Sequence, residues 1–376
     1  MSTEKWPARV SDNHNKDKTS MRIGVDARPL AHGTTGIGRY LRNLLPLLID
    51  SQHEWYLYCD RPIDVGDMPV KVRSGRVQSR GLSTPFAQFV FPIWALLDRL
   101  DMFWSPRHHL PLLRSSCRSV VTVHDLVWRR VPETMSSGGR LVESLLMPRT
   151  LQKTDLVFVP SQATAADIEE YMPELTAKVV VTPLGPSLTD TRSPRLVESN
   201  YGLMVCSLEP RKNIDRVIDA YLMLRQELEL DFKILIAGGP GWKSSKLHAR
   251  LKQLPGDWVQ YLGPVGDDVL QRLYQQCRFV IAPSLHEGFG LSILEGFVFG
   301  KPVLTSNVSS MPEVAGDAAV YVDPFDVQDI ARGMKRLILD ECLVKKLEGR
   351  ARVRAKMYSW KDTAKATRLA LEQVMR

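Results

Sequence analysis

Glu287 and Glu295 stand eight positions apart in the stretch His286-Glu-Gly-Phe-Gly-Leu-Ser-Ile-Leu-Glu295, and two such carboxylates can flank a ligand rich in hydroxyls. What lies between them sets the chemistry. Phe279-Val-Ile-Ala282 is a short apolar, β-branched run that reads as a buried strand, ended by Pro283 and Ser284. His286 to Gly290 reads as a loop in which two glycines let the backbone approach a ligand closely. From there the spacing of Leu291, Leu294, Val298 and Phe299 suits one helix face, which stops near Gly300 with Pro302 beyond it. Val303-Leu304 begins the next strand of a βαβ unit. Glu287 then falls in the loop and Glu295 in the early turns of the helix. Between them lie the free N–H groups of a helix start, a natural anion site. A phosphate flanked by hydroxyls, as in a nucleotide sugar, matches this pattern. A solvated loop glutamate and a dipole-matched helix glutamate would match it as well.

Three further groups have residue types suited to the same ligand. Arg211 and Lys212 follow the strand Tyr201–Cys206, where cations can pair with a diphosphate. His124 and Asp125 fall at the carboxyl end of the strand Ser119–His124, the edge at which open α/β sheets bind ligands. The histidine there suits contact with a sugar, or a satisfied place in a buried turn. Gly33, Gly36 and Gly38 form a glycine loop between the strand Met21–Asp26 and a helix over Arg39–Leu48. The loop lacks the third glycine of the dinucleotide fingerprint. It fits a P-loop only if Arg39 and Tyr40 replace Lys and Ser/Thr, so neither motif is assigned.

The elements that must position these residues alternate strand and helix along the chain, which argues for mostly parallel sheets. A length of 376 residues suggests two domains, at roughly 100–200 residues each. Leu184 to Asn200, with Gly185, Pro186 and Pro194, reads as the linker between a domain over 21–195 and one over 200–358. The polar leader 1–20 has no apolar core of a signal peptide and is expected to be disordered, with Met21 a plausible alternative start. No run reaches the roughly 18 apolar residues of a membrane helix. The five scattered cysteines have no metal spacing and suit reduced thiols in a cytoplasm. Net charge is +8, and Lys71–Thr150 holds 12 Lys/Arg against 5 Asp/Glu. That segment includes the aromatic-rich run Pro85–Trp104. Basic charge beside apolar side chains suits an anionic membrane surface or an anionic lipid-linked substrate, and equally a core helix with solvated arginines. Nucleic acid is not expected, because no recognition motif accompanies the charge.

Taken in order, Ile23-Gly-Val-Asp-Ala-Arg-Pro29 with Thr35-Gly-Ile-Gly-Arg-Tyr40, Val123-His-Asp125, Val159-Pro-Ser161, Leu208-Glu-Pro-Arg-Lys-Asn213, Ala237-Gly-Gly-Pro-Gly241 and Glu287-Gly-Phe-Gly-Leu resemble one family. The chain is similar to retaining glycosyltransferases of the GT-B fold, family 4, in the mannosyltransferase-like branch of bacterial surface-polysaccharide (O-antigen) synthesis. The resemblance covers most of residues 21–376. It implies two Rossmann-like domains facing each other across a cleft, with the last helix, 359–376, crossing back onto the first. The family's E-x7-E signature falls on Glu287 and Glu295.

By that resemblance Glu287 would bond hydroxyls of the donor sugar, while amides near Phe289, Gly290 and Leu291 hold the distal phosphate. Glu295 would bind the ribose, and the backbone near Val265 would meet the base. Lys212 with Arg211 would clamp the diphosphate. Gly36–Gly38 would close over the phosphates, and His124 would face the sugar. Ser207 stands where many relatives carry a second arginine, so Arg39 or Arg28 would have to complete the clamp; Asp125 is a further candidate on the acceptor side.

No cofactor or metal is expected. The donor would be a nucleotide sugar, with GDP-mannose or a GDP-deoxyhexose such as a rhamnose donor favoured over UDP or dTDP sugars. The acceptor would be a lipid-linked or saccharide chain, and the enzyme would be cytoplasmic with peripheral contact at the inner face of the plasma membrane. Retention would follow a front-face course. An epimerase on the same architecture is the alternative enzyme, and a non-enzymatic polysaccharide-binding subunit the alternative outside catalysis.

Overall fold

The computed structural model describes residues 20–31, 36–113, 117–190 and 200–375, without the side chains of Arg80 and Met375. The leader up to residue 19, Gly33 with Thr35, and residues 191–199 of the expected linker lie outside the described residues.

The strands are short apolar runs, buried on both faces in the middle of each sheet and partly exposed at the edges, as parallel sheets covered by helices on each side require. Seven of them form the first sheet: β1 (Arg22–Asp26), β2 (Glu54–Cys59), β3 (Val70–Ser74), β4 (Met102–Ser105), β5 (Arg118–Thr122), β6 (Leu156–Val159) and β7 (Val179–Val181). Six form the second: β8 (Tyr201–Val205), β9 (Lys233–Ala237), β10 (Val259–Gly263), β11 (Phe279–Ala282), β12 (Val303–Ser306) and β13 (Ala319–Val322). The orders are β3-β2-β1-β4-β5-β6-β7 and β10-β9-β8-β11-β12-β13. Every pairing is parallel.

Strand order reverses between β1 and β4 in the first sheet and between β8 and β11 in the second. Connections leave such a point in opposite directions and open a crevice beyond the carboxyl ends of the strands. The residues that follow β8 and β11 are Ser207–Asn213 and Pro283–Gly290. Topology alone therefore brings Arg211, Lys212 and Glu287 to one place, although more than 70 positions separate them.

The two lobes are in direct contact. Ser161 Oγ donates to the Gly288 carbonyl at 2.7 Å and Thr164 Oγ1 at 3.2 Å. Glu313 of the second lobe accepts from the backbone N–H groups of Gln162 and Ala163, the first turn of the helix Gln162–Tyr171. A carboxylate there meets unpaired amides and the positive end of the helix dipole. Trp242 Nε1 donates to the Thr134 carbonyl at 2.7 Å. The last helix, Trp360–Met375, lies on the first lobe, where Arg368 reaches the carbonyls of Leu47 (2.9 Å) and Leu48 (3.1 Å).

Two local expectations change. Gly36 and Gly38 are not loop residues: they open the helix Gly36–Leu48, because Tyr40, Leu41, Leu44 and Leu45 bury a face that begins with Gly38. The strand holding Ser119 ends at Thr122, so His124 sits in the turn beyond it. After β10, Gly266 stands at the start of the next helix, and Asp267 in its first turn pairs with Arg39. Among the described residues no helix is long and apolar enough to cross a membrane. All five cysteines are free.

Candidate active site

Glu287 receives both cations that follow β8. Arg211 Nη1 lies 2.6 Å from Oε2, and Lys212 Nζ pairs with Oε1. Arg211 also donates to the His286 carbonyl at 2.8 Å. A one-turn helix, Pro210–Lys212, presents the two cations, and Asn213 ends it in the left-handed conformation at φ 62°. Asn213 Nδ2 binds the carbonyls of Pro283 (3.0 Å) and Pro324 (2.7 Å), tying this turn to the exit of β11. Ser309 and Ser310 donate to the Glu287 carbonyl and fix the loop from the other side. Burial works against charge on Glu287, but Arg211 and Lys212 outweigh it and hold the carboxyl far below the usual range. The group is ionised throughout the physiological range.

Glu209 belongs to the same cluster and went unrecognised in the sequence, although it directly precedes Pro-Arg-Lys. It is buried, lies 3.7 Å from Arg211 Nη2, and accepts from Ser207 Oγ. Ser207 thus carries no charge here and orients an acid. Two cations and two carboxylates cancel within the cluster.

The helix start next to it is built by Gly290 and the helix Leu291–Val298. Gly290 adopts φ 93°, which a residue with a Cβ adopts only under strain. The amides of Gly290 and Leu291 therefore open the helix, while the Phe289 ring turns inward against Tyr358. Glu295, one turn on, is buried. Tyr274 donates to its Oε2 at 3.0 Å, and Arg39 Nη1 lies 3.8 Å from its Oε1. Burial raises the Glu295 carboxyl to about 7 despite these two partners. Val265, in the connection between β10 and the next helix, is half-buried against the core.

Across the cleft, His124 is neutral at pH 7, because burial lowers its pKa to about 4 and His108 adds repulsion. Its Nε2 lies 3.0 Å from the Pro106 carbonyl. A carbonyl can only accept, so Nε2 carries the proton and Nδ1 keeps a lone pair. Asp125 accepts from the Val127 amide at 3.2 Å, and its charge acts on both Arg211 and His286. His286 is buried with Nε2 3.4 Å from Asp167 of the first lobe, a contact that no sequence motif marks.

The two proposed extra clamp residues are otherwise engaged. Arg28 is buried, with Nε and Nη2 on Asp26 and Nη1 on the Ser83 carbonyl at 2.8 Å. It cannot reach a phosphate without abandoning an internal carboxylate. Arg39 does cross from the first lobe, but onto Glu295 and Asp267, at the ribose end expected of the site rather than the diphosphate.

Comparison with known proteins identifies the family. Residues 34–189 match the family described as Glycosyltransferase Family 4, and residues 190–356 match Glycosyl transferases group 1. The O-antigen chain mannosyltransferase B of Escherichia coli is 31% identical, over 92% of this chain and 98% of its own length. A serotype-specific mannosyltransferase of the same organism is also 31% identical, but over 57% of this chain and only 28% of its own. The sucrose-phosphate synthase of Thermosynechococcus elongatus shares the fold, with a TM-score of 0.75 at 18% identity, covering 94% of this chain and 98% of that one. Two parallel-sheet lobes joined in this way are the GT-B architecture, and the chain belongs to the group 1, family 4 glycosyltransferases.

Proposed function

We propose that this glycosyltransferase moves a mannosyl residue, with retention, from GDP-mannose to a lipid-linked saccharide during O-antigen synthesis. The observation that carries the reading is the pairing of Glu287 with Arg211 and Lys212 beside the helix start at Gly290. Membership of a transferase family sets the epimerase alternative aside. The mannosyl and O-antigen parts follow the full-length relative named O-antigen chain mannosyltransferase B. A related deoxyhexose such as rhamnose, or a UDP or dTDP donor, is the second reading within the class.

The proposed course uses residues already in place. The donor diphosphate meets the Gly290–Leu291 amides and draws Lys212 and Arg211 onto its oxygens, which releases Glu287 to accept from the sugar hydroxyls. As the C1–O bond to the phosphate breaks, negative charge grows where the two cations and the helix start stand. The acceptor hydroxyl attacks C1 from the same face, and its proton passes to the departing phosphate oxygen. No side chain has to become a covalent carrier. The charge stabilisation assigned elsewhere to a metal falls to Arg211, Lys212 and the helix start, so no metal is included in the reading. Glu295 accepts from the ribose hydroxyls, and His124 Nδ1 is available to accept from a sugar hydroxyl.

The first lobe also supports the membrane part of the proposal. Phe89, Ile93, Leu96 and Leu97 of the helix Arg80–Leu97 are exposed, as are Leu141 and Leu145 of the helix Ser137–Lys153. Arg99, just beyond the first of these helices, and Arg140, Arg149 and Lys153 on the second are exposed as well. We assign this face to peripheral contact with the anionic inner leaflet of the plasma membrane, where a lipid-linked acceptor resides.

A thermal-shift series with GDP, UDP, dTDP and ADP tests the donor, since a ligand stabilises by RT ln(1 + [L]/Kd). GDP is expected to give the largest shift. Equal shifts, or none, would remove the GDP assignment. NMR of the product from GDP-mannose reads the anomeric configuration and decides retention.

A further inference from the structure

The second strand reversal, between β1 and β4, opens a crevice in the first lobe, flanked by Asp26–Arg28 and Pro106–His109. Its charges are unequally matched. Asp26 and Arg28 neutralise each other through contacts of 2.9 Å and 2.6 Å. Glu143, on the helix Ser137–Lys153, takes both histidines, at 3.0 Å from His109 Nε2 and 3.6 Å from His108 Nδ1. Arg107 has its side chain in the field of Arg28, Asp26, Glu143 and Asp60, and among the described residues no side-chain hydrogen bond or ion pair engages it. Burial and the nearby Arg28 pull its pKa below the usual range, against the opposing pull of Asp26, Glu143 and Asp60.

His108 adds an independent sign. Its Nε2 is buried without a hydrogen-bond partner, while Glu143 favours the charged form of the ring, whose pKa is raised despite burial. A buried donor left unpaired is costly and calls for an occupant. The crevice adjoins the reaction cleft. The His108 ring lies 5.9 Å from that of His124, and the His124 carbonyl touches the donor loop at Gly288.

We propose that Arg107 and His108 form a subsite for an anionic oxygen group of the acceptor. The planar Arg107 guanidinium suits a phosphate or carboxylate, and His108 Nε2–H adds a second donor. The assignment rests on the reading above in placing the acceptor on the first lobe. The anion comes from one of two sources, the phosphates of a prenyl carrier or the carboxylate of an acidic sugar.

Calorimetric titration of the whole chain, with GDP saturating the donor site, tests the subsite. Geranyl diphosphate is compared with geraniol, and methyl glucuronide with methyl glucoside. At least one anionic probe should bind at least tenfold tighter than its neutral partner. A preference for geranyl diphosphate identifies the carrier phosphate, and one for the glucuronide identifies the acidic sugar. Arg107→Gln should abolish the preference and His108→Gln reduce it, with the GDP titration showing that each variant is folded. If neither anion is preferred by the wild-type protein, or if the preference survives Arg107→Gln, the subsite is refuted. Absence of GDP binding to the wild-type protein counts against the donor reading alone; the anion titrations are then judged without GDP.

Discussion

Gly288 and His124 meet across the cleft so closely that a Cβ at position 288 would lie 1.6 Å from the His124 carbonyl oxygen. The donor loop of one lobe rests on the backbone of the other, and only a residue without a side chain permits it. Ser161 and Thr164 hold the Gly288 carbonyl from the same side. Gly288→Ala should therefore leave each lobe folded and keep the lobes apart. Small-angle scattering should show a larger radius of gyration, and kcat should fall by about 10²-fold, the scale for a misplaced reacting group. An unchanged radius with unchanged turnover would show that this contact plays no part in closure.

Lys212 and Glu287 should separate binding from chemistry. Lys212→Ala removes the charge proposed to act on the leaving phosphate, and kcat should fall by about 10²–10³-fold. Glu287→Gln frees Arg211 and Lys212 from their internal carboxylate. GDP should then bind as tightly as to wild type or tighter, while transfer is lost. Calorimetry with GDP and a transfer assay on the same preparation distinguish the two effects. Full activity in either variant would remove these residues from the site.

Glu295 gives the protein a pH signature. Its carboxyl is raised to about 7, so between its unfolded value near 4.5 and 7 the folded chain holds a proton that the unfolded chain has released. The folded state is favoured by this group at low pH, and the advantage fades as pH rises through that window. A shift of this size corresponds to up to about 3 kcal/mol. Glu295→Gln should consequently melt higher than wild type at pH 8 and alike at pH 4, while its nucleotide affinity drops. A melting difference that is the same at both pH values would contradict the assignment.

The exposed leucines of the helix Arg80–Leu97 should matter only in the presence of lipid. Leu96 and Leu97 are 70% and 64% exposed, so replacing both with Glu leaves the core intact. Burying one leucine is worth about 1.5–3 kcal/mol, and the double variant should partition onto phosphatidylglycerol vesicles at least about tenfold more weakly. Co-sedimentation measures this, with phosphatidylcholine vesicles as the uncharged comparison. Equal binding by wild type and variant would place the membrane face elsewhere.

Much of the architecture could be read from local pattern, because short β-branched runs and 3.6-residue periodicity are properties of a few neighbouring residues. Arg211, Lys212 and Glu287 were recognisable because each follows a strand, and strand ends converge at a reversal of order. Glu209 was not, since an acid beside two cations looks like ordinary surface charge until burial is known. Nor were Asp167 opposite His286 or Asp267 opposite Arg39, which depend on how two lobes meet. Gly36 and Gly38 misled for another reason. Glycine in a helix start and glycine in a loop look alike until the buried face beginning at Gly38 is seen.

The return of the last helix has a consequence for how such proteins can be recombined. Trp360 Nε1 donates to the Pro186 carbonyl at 2.8 Å, so the chain comes back beside the point from which it left for β8. The second lobe is thus a cassette inserted into the first, with its entry and exit side by side. It can be exchanged as one contiguous block, leaving the first lobe joined to its own final helix. A chimera cut at these two points carries a new second lobe without dividing the scaffold that holds His124 and Arg107.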